Sequence, residues 1–358
     1  MPMTTGSSAS AEAKARHIDP DVDLAAPVVI EVTRGSMVES RHRVRFALAD
    51  TSGRVLHRAG DPEQLIYGRS AIKPLQALAL IESGAADAFG LGDAEIALAC
   101  ASHSAEPRHV ETVEAWLQRI GCTAADLECG PQLPSREQDV KALFAVGRGA
   151  DALHNNCSGK HSGFLSVARH QGVPTAGYIK YEHPVQQRVL GILESMAGLD
   201  LSAAPRGIDG CGIPVIGIPL GNLALAMARF ADPADQPEAR QAACARVRAA
   251  LTAEPFMIAG SGRFCSELIA ASRGKVLAKT GAEGVFCVSL TEPGLGLALK
   301  VEDGATRAAE VATLNLLRDL GLLDSETTAA LDKLFEPPVL NRAGLKVGVL
   351  RPTADISA

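Results

Sequence analysis

Arg69-Ser70-Ala71-Ile72-Lys73-Pro74 leads into an apolar run from Leu75 to Ile81, and the rest of the chain is organised around this stretch. Proline is tolerated in the first turn of a helix, so Pro74 predicts a helix that begins near Ser70. Ser70 and Lys73 are three residues apart and would share one face of that helix. A partly desolvated lysine beside a serine can take the hydroxyl proton and create a nucleophile. The stretch therefore predicts a Ser–Lys pair at a helix N-terminus.

Composition places the chain among ordinary globular proteins, with 47% hydrophobic and 21% charged residues over 358 positions. The formal net charge is -6 and aromatic residues make up 4%, so neither a basic surface nor a stacking platform for nucleic acid is expected. No apolar run reaches the roughly 18 residues that a membrane-spanning helix needs. Composition therefore argues against a nucleic-acid partner and against a membrane span.

Cysteine usage and the N-terminal segment indicate the compartment. The eight cysteines are scattered without a CxxC pair, which is typical of a reduced intracellular protein. The first 25 residues are rich in Ala, Ser and Asp and lack the apolar core of a signal peptide. We therefore expect residues 1–26 to be a disordered tail and the protein to be cytoplasmic.

Strand-like segments lie near both ends of the chain, and helix-like segments fill the middle. This distribution predicts an α+β fold in which both ends build one antiparallel sheet beside a central helical region. We expect residues 27–358 to form a single catalytic unit of two interleaved subdomains. The sheet subdomain would take in about 27–68 and 272–358, and the mainly helical region about 69–271. The predicted strands include Val28–Thr33, Arg43–Ala49, Val276–Gly281, Val285–Leu290, Leu295–Val301 and Lys346–Leu350.

Further clusters of polar residues follow the opening stretch, and their order along the chain is informative about the kind of enzyme. A loop with Ser102-His103-Ser104 comes next, and Lys279-Thr280-Gly281 lies on a late strand. Ser-x-x-Lys, a serine loop and Lys-Thr-Gly occur in this order in penicillin-binding proteins and serine β-lactamases, although their loop usually reads Ser-Asp-Asn. Two more clusters, residues 154–161 and the glycine-rich turn 207–214, are dense in functional side chains.

From about Val28 to Leu350 the chain resembles the rhizobial-type, or class 3, L-asparaginases of the L-asparaginase II family. That family is similar in fold to the penicillin-binding and serine β-lactamase group, which agrees with the motif order. The motifs that carry the resemblance are Arg-Ser-Ala-Ile-Lys-Pro from Arg69, Cys-Ala-Ser-His-Ser from Cys100, Asn-Cys-Ser-Gly-Lys-His from Asn156, Asp-Gly-Cys-Gly from Asp209, Gly-Arg-Phe-Cys from Gly262 and Ala-Lys-Thr-Gly-Ala from Ala278.

The resemblance implies hydrolysis of L-asparagine to L-aspartate and ammonia by two Ser–Lys pairs. Ser70 would be the nucleophile with Lys73 as its base. Ser102 with Lys279 would form a second pair that relays protons or assists the leaving group. Which serine attacks first is open at this stage, and Ser102 is the second choice.

The resemblance also implies binding residues, a metal and an assembly. Zinc would be held by Cys157, Lys160 and Cys211, and the active protein would be a homodimer. Asp209 would anchor the α-amino group of the substrate. Three further residues match motif positions that line the site: Arg69, His103 and His161.

Other interpretations remain open on the residues alone. Ser70 and Lys73 could be a solvated helix start, and Cys157 and Cys211 could be buried thiols, since spacing does not suggest lysine as a zinc ligand. Glutamine differs from asparagine by one methylene, so a glutaminase is close in chemistry. A hydrolase acting on β-lactams or peptides shares the motif order. A non-catalytic protein that binds zinc or an amino acid is the alternative of another class.

Overall fold

The computed structural model describes residues 25–353, so the tail predicted for residues 1–26 lies almost wholly outside the described residues. The strands are β1 (Val28–Arg34), β2 (Met37–Ala49), β3 (Val55–Ala59), β4 (Leu65–Tyr67), β5 (Arg206–Ile208), β6 (Pro214–Pro219), β7 (Val276–Thr280), β8 (Val285–Leu290), β9 (Leu295–Val301), β10 (Pro338–Leu340) and β11 (Lys346–Pro352). The main sheet has the order β10-β11-β1-β2-β9-β8-β7, with β3 also paired to β2. Its neighbouring strands are antiparallel.

Both ends of the chain therefore build the sheet, and the predicted α+β class is confirmed. Long strand β2 holds the two ends together, because it pairs with β1 through its first half and with β9 through its second half. The division into two interleaved subdomains stays a prediction.

The helices are α1 (Lys73–Glu82), α2 (Ala85–Ala88), α3 (Asp93–Ala99), α4 (Pro107–Arg119), α5 (Glu137–Ala145), α6 (Ser158–Gln171), α7 (Pro184–Ala197), α8 (Leu220–Ala231), α9 (Glu238–Ala253), α10 (Phe264–Ala271), α11 (Thr306–Asp319), α12 (Ser325–Ala330) and α13 (Asp332–Phe335). Within residues 25–353, no helix is both long and apolar enough to cross a membrane.

Helix α1 lies at the centre of the helical region. It packs against α6, α7 and α9, and its residues from Lys73 to Leu80 are all buried. This burial explains why the sequence from Leu75 is apolar without the polar face of a surface helix. It also means that Lys73, the first residue of α1, is removed from water.

The middle of the main sheet is buried on both faces. Strands β8 and β9 pack against α8 and α11, and β8 is buried at every position. At Gly296 the backbone of β9 lies close against α8, since a Cβ there would be 2.1 Å from Ala224 O. Strand β7 is the last strand on this side of the sheet, and it holds Lys279 in a fixed, buried position.

A second sheet of three strands, in the order β4-β6-β5, was not predicted. Strands β4 and β5 have three residues each, which is too short for an alternating pattern to be recognised. The turn between β5 and β6 carries Asp209 and Cys211, so this small sheet positions two of the predicted site residues.

Candidate functional site

The hydroxyl of Ser102 lies between two buried lysines. Ser102 is in the loop after α3, and its Oγ is 3.0 Å from Lys73 Nζ and 2.9 Å from Lys279 Nζ. Lys73 comes from the start of α1 and Lys279 from β7, and all three side chains are buried. The fold thus brings three of the four predicted catalytic residues into direct contact.

Lys73 has a complete set of acceptors. Its Nζ is 2.5 Å from Ala101 O, 3.0 Å from Ser102 Oγ and 3.2 Å from Cys157 Sγ. An ammonium group has three N–H donors, so these three contacts satisfy a protonated Lys73. A charge is therefore well placed at Lys73, close to the oxygen of Ser102.

Lys279 has the properties of a base. Burial and the nearby charge of Lys73 lower the pKa of Lys279 to about 7. Its Nζ also donates to Thr280 O at 2.7 Å, which fixes the direction of the amine. A neutral Lys279 is consequently able to accept the proton of Ser102 near neutral pH.

Ser70 lies outside this cluster of hydrogen bonds. Residues Arg69–Ile72 form a 3₁₀ turn, and α1 begins only at Lys73, later than the predicted start near Ser70. Among residues 25–353, the Ser70 hydroxyl, which is half-buried, makes no hydrogen bond, and the Lys73 amine instead contacts the loop after α3. The catalytic role of Ser70 stays a prediction.

Cys157, Lys160 and Cys211 lie together beside this cluster. Cys157 caps the N-terminus of α6, Lys160 follows on its first turn, and Cys211 is in the turn between β5 and β6. Lys160 Nζ lies 3.0 Å from Cys211 Sγ. A hydrogen bond from Cys211, helped by the charges of Lys73 and Lys160, holds the pKa of the Cys157 thiol well below its usual value despite burial. The same bond raises the pKa of Cys211.

These three donors fit a zinc ion. Two sulfur atoms and one amine nitrogen converge, and zinc accepts both kinds of ligand. Among residues 25–353 no group of three His, Cys, Asp or Glu could hold a metal, so Lys160 would have to be the third protein ligand. Burial lowers the pKa of Lys160, but the neighbouring Cys157 and Cys211 outweigh burial and raise the pKa overall. Lys160 is therefore protonated in the metal-free site and must lose a proton to bind zinc.

Asp209 is paired with Arg69 at the edge of the site. Asp209 Oδ1 accepts from Arg69 Nε at 3.0 Å, from Arg69 Nη2 at 2.8 Å and from Gly210 N at 2.7 Å. Burial raises the pKa of Asp209, but Lys160 and Arg69 outweigh it and lower the pKa overall. Asp209 is therefore a carboxylate. Its partner Arg69 has a backbone φ of +47°, in the left-handed region.

His103 is held as a neutral structural side chain. Its Nδ1 accepts from Ala105 N at 3.1 Å, so Nε2 carries the proton and donates to Ser158 Oγ at 2.9 Å. Ser158 in turn donates to Leu153 O. Burial keeps the pKa of His103 well below its usual value. Hydrogen bonds engage both ring nitrogens, so His103 supports the loop of Ser102, and its contact with substrate stays a prediction.

His161 is also buried and neutral. The hydroxyl of Tyr178 accepts from Glu128 N at 2.9 Å, and it lies 2.7 Å from His161 Nδ1, to which it donates. Burial and the charges of Lys160 and Lys73 keep the pKa of His161 well below its usual value. His161 thus packs behind Lys160 on α6.

Sequence reasoning missed two features of the site. One is the contact between Lys73 and Cys157, which links the group around Ser102 to the two cysteines of the predicted zinc site. These two residues are 84 positions apart, so no local spacing indicates the contact. Glu106, which follows the serine loop, is buried and binds four donor groups. Its position directly before Pro107 and α4 suggests only a helix start.

The structure thus defines an α+β protein in which a buried serine lies between two lysines. The chain belongs to the L-asparaginase II family, because the sequence model described as L-asparaginase II matches residues 30–352. The resemblance stated from the motifs is confirmed. Among curated proteins, no relative matches this chain.

The solved structures that this chain matches are distant in sequence. Mglu in its native form in the presence of 4.3M NaCl is 16% identical, with a TM-score of 0.44 over 80% of this chain and 63% of that one. Mglu in its glutamate form is 17% identical, with a TM-score of 0.42 over 78% of this chain and 61% of that one. This chain thus spans less than two thirds of either. A β-lactamase from Mycobacterium bovis is 13% identical, with a TM-score of 0.35 over 82% of this chain and 95% of that one.

Proposed function

We propose that this protein is an L-asparaginase that hydrolyses the side-chain amide of L-asparagine to L-aspartate and ammonia. The observation that carries the proposal is the position of Ser102 Oγ, 2.9 Å from Lys279 Nζ and 3.0 Å from Lys73 Nζ. Amide hydrolysis needs a nucleophile, a base that becomes an acid and a positive charge near the developing oxyanion. The three side chains offer these three functions, and membership of the L-asparaginase II family supports the substrate class.

Ser102 is the nucleophile in this mechanism. Neutral Lys279 takes the hydroxyl proton while Ser102 Oγ bonds to the amide carbon, and Lys73 stabilises the negative charge that develops. Lys279 then gives the proton to the departing nitrogen, so ammonia leaves and an ester to Ser102 remains. Water, deprotonated by Lys279, attacks the ester carbon and releases aspartate. The proton returns to Ser102, which restores the starting state.

Asp209 and Arg69 are suited to a free amino acid. The three hydrogen bonds to Asp209 given above all end on Oδ1, which leaves Oδ2 to accept from the α-ammonium group of the substrate. Arg69 uses Nε and Nη2 for Asp209, so its remaining N–H groups can bind the α-carboxylate. The pair would thereby select amino-acid amides over simple amides.

Zinc bound by Cys157, Lys160 and Cys211 is part of the proposal. When bound, the ion would fix the N-terminus of α6 and the turn between β5 and β6 relative to each other and add positive charge beside the substrate site. A homodimer and a cytoplasmic location remain predictions.

Ammonia release from L-asparagine by the purified protein tests the proposal. We expect Ser102→Ala to lose activity by about 10³-fold or more while it remains folded, and Ser70→Ala to retain more activity than Ser102→Ala. A larger loss of activity in Ser70→Ala than in Ser102→Ala would indicate that Ser70 is the nucleophile. Faster turnover of glutamine, or covalent labelling by a fluorescent penicillin, would support the related hydrolases. Bound amino acid without turnover would support the non-catalytic alternative.

A further inference from the structure

Glu106 forms a buried polar junction next to the serine loop. Its Oε1 accepts from Ser104 Oγ at 3.0 Å and from Ser261 N at 2.7 Å. Its Oε2 accepts from Ser261 Oγ at 2.7 Å and from the guanidinium of Arg136. Only 5% of the residue is exposed. Four donors from three separate parts of the chain thus meet on one carboxylate.

The junction ties together two segments that run side by side. Ser102 N donates to Ile258 O at 3.0 Å, and Ser104 N donates to Ala259 O at 2.9 Å. Ser104 Oγ also lies 2.8 Å from Ala259 O, so its single proton is shared between this carbonyl and Glu106. The backbone of Ser102 is therefore held by the segment 258–261, and Glu106 holds that segment through both donors of Ser261.

The approach of the two segments requires glycine at position 260. A Cβ on Gly260 would lie 2.0 Å from Ser104 Oγ and 2.4 Å from Glu106 Oε1, and its φ is +116°. The carboxylate therefore lies directly against this backbone. A change in the length or charge of the Glu106 side chain would be transmitted to the segment.

We propose that Glu106 is a positioning residue that keeps the Ser102 hydroxyl between Lys73 and Lys279. The kinetic part of this inference rests on the proposed function. Ser102 must contact a lysine on α1 and another on β7 at once, and its backbone depends on the segment 258–261. A displacement of about 1 Å at a reacting group can lower a rate by about 10²-fold.

The carboxylate form is what the junction needs. Burial raises the pKa of Glu106, but the hydrogen bonds from Ser261 and Ser104 and the charge of Arg136 outweigh it and lower the pKa overall. All four groups around it are donors. Glutamine offers one acceptor atom and directs an NH₂ group at donors, so Glu106→Gln leaves donors unpaired without changing the size of the side chain.

The test compares Glu106→Gln with two other variants. Ser261→Ala removes one of the four donors and should have a smaller effect in the same direction. Glu254→Gln is the control, because Glu254 lies just before the same segment but pairs with the exposed Arg108 at 2.7 Å. We expect Glu106→Gln to lower kcat by about 10- to 100-fold with KM within about 3-fold, and the control to match the wild type.

Two readouts separate positioning from general destabilisation. Kinetics are normalised to the folded fraction, so kcat per folded molecule equal to wild type would overturn the proposal. Amide hydrogen exchange should be faster at Ser102 and Ser104 in Glu106→Gln and unchanged in α1. Unchanged exchange at these two amides would also overturn it. If the wild type releases no ammonia, the proposed function fails, and the exchange measurement still decides whether Glu106 holds Ser102.

Discussion

Lys279 Nζ and Ser102 Oγ lie 2.9 Å apart although 177 positions separate them in the chain. Strand β7 supplies the lysine and the loop after α3 supplies the serine, so the pair forms only when sheet and helices are packed together. Burial and the charge of Lys73 favour the neutral form of Lys279. The fold therefore gives Lys279 a pKa near neutrality, which is what the proposed mechanism requires of its base.

We expect kcat/KM for asparagine to rise with pH through about 7, the lowered pKa of Lys279. The sign follows from the mechanism: the protonated amine cannot take the Ser102 proton, so activity is low below this pKa and reaches a plateau above it. The measurement is a profile of kcat/KM from about pH 5 to about pH 9.

The matched variants for this profile are Lys279→Met and Lys275→Met. Lys279→Met should lose about 10²- to 10⁴-fold in kcat, the usual contribution of a general base, while Lys275, which is exposed on the surface, is replaceable. Activity that keeps rising towards the ordinary lysine pKa of 10.5 would contradict the assignment of Lys279 as the base.

Asp209→Asn should raise KM for asparagine by about 10- to 100-fold, because a hydrogen bond to a charged group contributes about 1.5–3 kcal/mol. The effect should depend on the α-amino group. Succinamate, which is asparagine without that group, should be a poorer substrate than asparagine for the wild type, and the preference should shrink in Asp209→Asn.

Asp200→Asn is the control for this comparison, since Asp200 is exposed and its Oδ1 accepts a hydrogen bond from the backbone N–H of nearby Ser202. An unchanged preference for asparagine over succinamate in Asp209→Asn would show that Asp209 does not bind the ammonium group, and that its role is to orient Arg69.

Long apolar strands and the motif order were predictable from the sequence. Strands β8 and β9 have the predicted bounds, since their apolar, partly β-branched runs are typical of buried strands. The strand of Lys279 was likewise predicted, and it places this lysine next to the helical region. Local pattern and family resemblance were sufficient for these elements.

The partner of Lys73 was not predictable in the same way. Spacing favours Ser70, because residues three apart share a face in a regular helix. The structure has a 3₁₀ turn at Arg69–Ile72, and the amine of Lys73 contacts Ser102 and Cys157 instead. Such contacts depend on the packing of α1 against α3 and α6, which no local pattern encodes.

The group of Cys157, Lys160 and Cys211 predicts about one zinc ion per chain in protein prepared without chelators. Cys211→Ser and Lys160→Met should both lose most of the metal, because each removes one of the three converging donors. Elemental analysis of the purified proteins measures this directly. Cys244→Ala is the control, since Cys244 is a buried thiol on α9 whose charged neighbours are Arg240, Arg248 and Glu82.

Zinc affinity should also increase with pH, and the direction follows from the ligands. Cys211 and Lys160 both have raised pKa values in the metal-free site, so binding must release their protons. Titration of the metal-free protein with zinc in a weakly buffered solution should therefore acidify it, and Lys160→Met should release fewer protons. Full zinc content and unchanged proton release in Lys160→Met would show that the lysine is not a ligand, and would leave the two cysteines as the only protein donors among those proposed.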